Sequence, residues 1–179
     1  MHKFFWNLEK LTEYNIPIFG IKEGKHTFNY KIDSTFFALF EESELKNGSL
    51  NVELLLDKKP TFLALDFNLN GKLSVGCDRC LDEFDIDIKY ETKVFVRYGD
   101  ETYEESADTM ILSRNENELN VAQFILEFIE ISVPYRNVHP DHENGDGGCN
   151  TNMLDKLDEY EVNEESESDP RWDKLKGLI

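Results

Sequence analysis

Residues 84–98 alternate apolar and mostly charged side chains without a break, and this run limits the available folds more than any other feature. Phe84, Ile86, Ile88, Tyr90, Thr92, Val94, Val96 and Tyr98 share one parity. Asp85, Asp87, Lys89, Glu91, Lys93 and Arg97 share the other, with Phe95 the exception. Successive strand side chains point to opposite faces, so the pattern predicts a long strand with one dry face and one wet face. Leu50, Val52, Leu54 and Leu56 alternate in the same way. After Lys58-Lys59-Pro60 the series Leu63, Leu65, Phe67, Leu69 repeats it, and Leu73, Val75 and Cys77 continue it. Asn70-Gly71 has the chemistry of a type I′ turn and predicts a hairpin there. Half-wet strands in sequence imply an antiparallel meander or a partial β-barrel.

The flanking segments add strands and helices. Strands are expected near residues 16–21 and 25–32, joined as a hairpin by Lys22-Glu23-Gly24. A short helix should follow, capped by Asp33 or Ser34, with Phe36, Phe37 and Phe40 on one face and Asn47-Gly48 as its stop. Residues 100–120 are acidic and polar, interrupted by Met110-Ile111-Leu112, the core of a short strand. A helix is expected from Asn120, which can cap it while Gln123 reciprocates as in a capping box. Val121, Phe124, Ile125, Phe128 and Ser132 follow the 3.6 period, Ala122, Leu126, Ile129 and Ile131 widen the apolar surface, and Pro134 ends it. Such a helix should pack across the dry face of the sheet. A last short helix is expected in 169–178, where Asp169 caps, Pro170 takes the first helical position, and Trp172, Leu175 and Leu178 share a face.

Charge is distributed unevenly. The 179 residues carry 37 Asp and Glu against 19 Lys and Arg, a net of −18. Residues 1–60 contribute −1, residues 61–138 contribute −9, and residues 139–179 contribute −8. Phosphates are attracted by clustered positive charge, so unaided, backbone-driven nucleic-acid binding is disfavoured and basic proteins are the more natural partners. The acidic stretch 155–169 reads either as a solvated linker or as an arm that engages a basic partner. With 13 Phe and 7 Tyr the chain is not wholly disordered. The expected organisation is one α+β domain over 1–150, then an acidic linker and short C-terminal helix over 151–179. No stretch approaches the roughly 20 apolar residues of a membrane span. The opening MHKFFWNLEK lacks the apolar core and cleavage site of a signal peptide. Three cysteines make a poor disulfide framework, which points to the cytoplasm.

Those cysteines carry the most chemistry. Cys77-Asp78-Arg79-Cys80 is a C-x-x-C at a strand end, and two thiolates three positions apart can grip one metal ion. Cys149 and two of the four histidines, His139 and His142, fall together in a Gly-rich segment. The favoured ligand set is Cys77, Cys80, His139 and Cys149, with His142 as the substitute for His139. Four protein ligands would make a structural zinc site, pinning the C-terminal loop to the sheet. Two other readings stand beside it. One is buried free thiols with exposed loop histidines. The other is a thioredoxin-like redox pair, which strand flanks disfavour because that pair sits at a helix N-terminus. No G-x-S-x-G, P-loop or G-x-G-x-x-G is present. The sequence therefore does not support an enzyme.

Taken in order, Cys77-Asp78-Arg79-Cys80, the long alternating strand, Val133-Pro134, Val138-His139, Cys149 and Asp169-Pro170-Arg171-Trp172 resemble the YceD-like family. These are large ribosomal RNA subunit accumulation proteins. The resemblance spans roughly residues 60–179, and residues 1–60 match only in general character. It implies a bacterial cytoplasmic protein needed for normal accumulation of the large-subunit rRNA. Some members carry additional C-terminal C-x-x-C pairs, where this chain has His139 and His142.

Resemblance and charge together suggest a non-enzymatic factor in large-subunit biogenesis. It would bind a basic large-subunit ribosomal protein or a pre-ribosomal particle and reach nucleic acid only indirectly. Candidate partner-binding residues are Arg79, Arg171, Trp172 and Leu175, the last two as a peptide-like anchor. The rivals are a direct rRNA-binding module using Lys72, Arg79, Lys93 and Arg97, and a thiol- or zinc-dependent enzyme.

Overall fold

A computed structural model describes residues 11–40, 42–140 and 148–160. It divides the chain into two compact units. The first comprises residues 1–76 and 83–137, the second residues 77–82 and 138–179.

The first unit is built on the alternating strands. β1 is Asn15–Ile16, β2 Gly24–Ile32, β3 Gly48–Lys58, β4 Phe62–Gly76 and β5 Glu83–Gly99. β6 is Tyr103–Ser106, β7 Thr109–Ser113 and β8 Leu119–Asn120. A six-stranded sheet has the order β2-β3-β4-β5-β7-β6. The first four strands form the expected antiparallel meander. β7 then slots in parallel to β5, with β6 antiparallel outside it. The sheet is open, and the α+β reading holds. Met110, Ile111 and Leu112 lie in β7 as expected, whereas β6 had no apolar alternation to announce it.

The Asn70-Gly71 hairpin is not formed. β4 runs straight through it, and Asn70 and Gly71 pair with Asn51 and Leu50 of β3. The apolar parity of Leu63, Leu65, Phe67, Leu69, Leu73 and Val75 is unbroken across Gly71, and all six are buried. A two-residue turn would have faced Lys72 alongside Leu69 and put Leu73 on the wet side. Gly71 instead permits a close approach. Its φ is +155°, and a Cβ there would lie 2.2 Å from the Ser49 carbonyl oxygen.

The N-terminal hairpin is also replaced. β1 pairs with β8 rather than with β2. Pro17 has no N–H to continue a ladder, and the Lys58 ammonium donates to the carbonyls of Ile18 and Ile21 at 2.7 and 2.9 Å. α1, Ser34–Phe37, is a single turn capped by Asp33, whose carboxylate accepts from the Thr35 amide. It stops well short of Asn47. Phe36, Phe37 and Phe40 are nevertheless buried, and Tyr14 bridges Tyr30 and Phe36 with ring centroids 5.3 and 5.2 Å away.

α2, Ala122–Ser132, covers the dry face. Phe67 of β4 meets Phe128 edge-on at 5.1 Å and Phe124 at 6.2 Å, and Tyr90 of β5 lies 6.2 Å from Phe128. Ile125 and Ile129 are fully buried, but Ile131 is 63% exposed and lies off the apolar face. The capping box does not form. Asn120 Oδ1 accepts from the Ala122 amide, but Gln123 turns outward to Glu127. Asn120 is already committed to β1, donating to Asn15 and to the Leu11 carbonyl. Val133, extended as a residue before proline prefers, ends the helix ahead of Pro134.

In the second unit, residues 151–160 of the expected linker form a helix, α3, Thr151–Tyr160. Asn150 starts it by accepting from the Asn152 amide. The expected helix at 169–178 lies outside the described residues.

Candidate metal centre

The second unit gathers the chain's cysteines. Its first segment, residues 77–82, connects β4 to β5 as a tight knuckle. The Cys77 amide donates to the Asp82 carbonyl and the Leu81 amide to the Cys77 carbonyl, both at 2.9 Å. Closing the knuckle places Leu81 at φ 65°, a left-handed conformation that glycine adopts far more readily than leucine. Nothing in the sequence pattern signalled this, since a leucine stands at the strained position. In the segment that begins at Val138, the Gly148 amide reaches the Pro140 carbonyl at 3.4 Å. Cys149 follows immediately, just ahead of the Asn150 cap of α3.

Cys77, Cys80, His139 and Cys149 converge, each offering one ligand atom, and all four atoms lie within 4.8 Å of one another. The Cys77 and Cys149 sulfurs are 3.8 Å apart. His139 Nδ1 is 3.5 Å from the Cys80 sulfur and 3.7 Å from that of Cys149. A tetrahedral zinc with Zn–S near 2.3 Å and Zn–N near 2.0–2.1 Å separates two sulfurs by about 3.8 Å, and sulfur from nitrogen by about 3.6 Å. The residues present fit such an ion. All three thiols are free and buried, and His139 is half-buried.

The electrostatics divide the thiols. Burial pushes the Cys77 thiol up, but the amides of Cys80, Arg79 and His139, helped by the His139 ring, outweigh it and bring it down to about 6. Burial, followed by the neighbouring sulfurs of Cys77 and Cys80, pushes Cys149 up to about 11.

The other sequence candidates are dispersed. Arg79 lies half-buried in the knuckle, its amide turned to the Cys77 sulfur. His142, Arg171, Trp172 and Leu175 lie outside the described residues. Lys72, Lys93 and Arg97 alternate with acids as the sequence suggested. They pair with Asp87 at 3.9 Å, Asp66 at 2.8 Å and Glu105 at 3.5 Å.

The family model described as large ribosomal RNA subunit accumulation protein YceD matches residues 65–179, a span that contains the knuckle, His139 and Cys149. The chain belongs to the YceD family. Its family name ties it to accumulation of the large ribosomal RNA subunit, and the knuckle lies near the start of the family-matched region. No curated protein and no solved structure matches the chain. No helix among the described residues is long and apolar enough to cross a membrane.

Proposed function

We propose that this YceD-family chain is a non-enzymatic, cytoplasmic factor in large-subunit biogenesis. It binds a basic large-subunit ribosomal protein or assembly intermediate, and Cys77, Cys80, His139 and Cys149 hold a structural zinc ion. The observation that carries the zinc reading is the closed set of four buried or half-buried ligand atoms within 4.8 Å. Catalytic zinc keeps a position open for water or substrate, whereas a site completed by four protein ligands serves folding. Zinc here would tie the 77–82 knuckle to residues 139–149 and so fix the start of α3.

Charge supports the partner reading. A net −18 repels a phosphate backbone over most of the surface and attracts basic proteins, with electrostatics speeding encounter. α3 adds Asp155, Asp158 and Glu159 beside the exposed Leu157 and Tyr160, so acid and apolar contacts share one short helix.

Two measurements on the full chain, purified without chelator or histidine tag, test the reading. Elemental analysis should give one zinc per chain. Titration calorimetry against purified basic large-subunit proteins should give a saturable, salt-sensitive complex. Tight rRNA binding with a steep salt dependence, and no response to those proteins, would overturn the partner reading. Metal-free protein with three reactive thiols would overturn the zinc reading.

A further inference from the structure

The first unit carries a groove that neither the metal centre nor the acidic surface explains. Its volume is about 1100 Å³, and it lies where the β3–β4 turn, the 17–23 loop and the ends of β5 and β7 meet. Phe95, the one apolar interruption of the wet face of β5, lines it together with Phe62, their ring centroids 6.2 Å apart. Phe62, Phe95 and Arg97 occupy strand positions opposite in parity to those that meet α2. From the facing loop comes Phe19, 64% exposed. Lys58 holds that loop in place through the Ile18 and Ile21 carbonyls, and the Phe19 amide reaches the Asn117 carbonyl.

The lining is cationic in a strongly anionic chain. Lys58, Lys59, Arg97 and Arg114 line the groove, against Glu23 as its one carboxylate. Two of the cations have acidic neighbours, Lys59 with Asp57 at 3.0 Å and Arg97 with Glu105 at 3.5 Å. The Arg97 and Glu105 side chains are 63% and 46% exposed, and ion pairs this open to water contribute little, so a phosphate can take the place of Glu105 at small cost. Exposed aromatic rings beside guanidinium and ammonium groups are the elements that hold unpaired bases by stacking and their phosphates by charge.

We infer that this groove binds a short single-stranded RNA segment, with bases on Phe19, Phe62 and Phe95 and phosphates at Lys59, Arg97 and Arg114. Duplex RNA is excluded because paired bases cannot present their faces to these rings. The contact is local. About three phosphates at a slope near −0.7 each give a log–log salt slope of about −2, and screening of the surrounding negative surface makes it shallower still. It goes beyond the proposed protein partner and does not depend on it.

Fluorescence anisotropy with a labelled mixed-sequence RNA octamer and the full chain tests the inference. Arg97→Glu combined with Arg114→Glu should weaken binding at least tenfold. Phe19→Ala, at an exposed position, should weaken it about fivefold or more while circular dichroism, zinc content and capture of the basic protein stay unchanged. Absence of octamer binding at low salt, or equal binding by the variants, would overturn the inference. So would a groove that prefers an acidic peptide of residues 155–169 over RNA. If basic-protein binding fails while the octamer result holds, only the proposed function falls.

Discussion

The sulfurs of Cys77 and Cys149 lie 3.8 Å apart across 72 positions of sequence, and His139 Nδ1 stands 3.7 Å from the second of them. At that separation they can share an ion. Zinc occupancy should protect all three thiols. Cys149→Ser should lower zinc content at least tenfold and expose Cys77 to thiol reagents. Thiol titration before and after chelation checks this, and three thiols reacting at once in untreated protein would contradict it.

Gly71 leaves no room for a side chain. A Cβ would fall 2.2 Å from the Ser49 carbonyl oxygen and 2.6 Å from the Leu50 Cα, both backbone atoms that cannot swing aside. Gly71→Ala should therefore destabilise the first unit by about 2–3 kcal/mol. Gly76→Ala is the control, since nothing lies within 4 Å of its Cβ position. It should be neutral or stabilising by about 0.5 kcal/mol. Chemical denaturation midpoints of the two variants separate these outcomes.

Phe67 couples the sheet to α2 through Phe124 and Phe128 and is 2% exposed. Truncation to alanine removes its buried surface and leaves a cavity between strand and helix, costing about 3–5 kcal/mol. A double-mutant cycle with Phe128→Ala should return a coupling of about 0.5–1.5 kcal/mol. Additive losses would mean that the two rings do not support one another.

Tyr14 and Tyr30 stack at 5.3 Å, and burial, with the Glu13 carboxylate second, pushes both phenols up to about 12. Their folded pKa values exceed the ordinary value of 10.0 for the exposed phenol. Between about pH 10 and 12 the folded chain holds protons that the unfolded chain has released, so stability falls as pH rises through that window. In an ultraviolet titration both phenols should ionise well above the ordinary value of 10.0. Tyr14→Phe should flatten the alkaline loss of stability, and an unchanged alkaline profile would contradict the assignment.

Period-two alternation made the central strands legible, because a strand's faces follow from local geometry alone. The same parity, carried through residue 71, already argued against a turn at Asn70-Gly71. A two-residue loop reverses which parity faces the core, and here Leu73 and Val75 stay in step with Leu69. The dipeptide preference is a local signal, and tertiary contact with β3 overrode it. The pairing of β1 with β8, in place of the expected hairpin with β2, was hidden for another reason. Two residues carry no period, and their pairing depends on Pro17, Lys58 and Asn120.

The sequence by itself determined the chemistry on offer: a C-x-x-C between strands, a histidine and cysteine downstream, a predominantly acidic surface, and one phenylalanine out of step in β5. Only the tertiary structure decided which of these groups meet. It set His139 beside Cys80 and Cys149, and it brought Phe19 and Arg114 to the groove that holds Phe95 and Arg97. Spacing along a chain fixes which way neighbouring side chains point, whereas contact between distant residues depends on how closely backbones approach. In this protein that approach rests on details such as the missing Cβ of Gly71 and the lysine that holds the 17–23 loop.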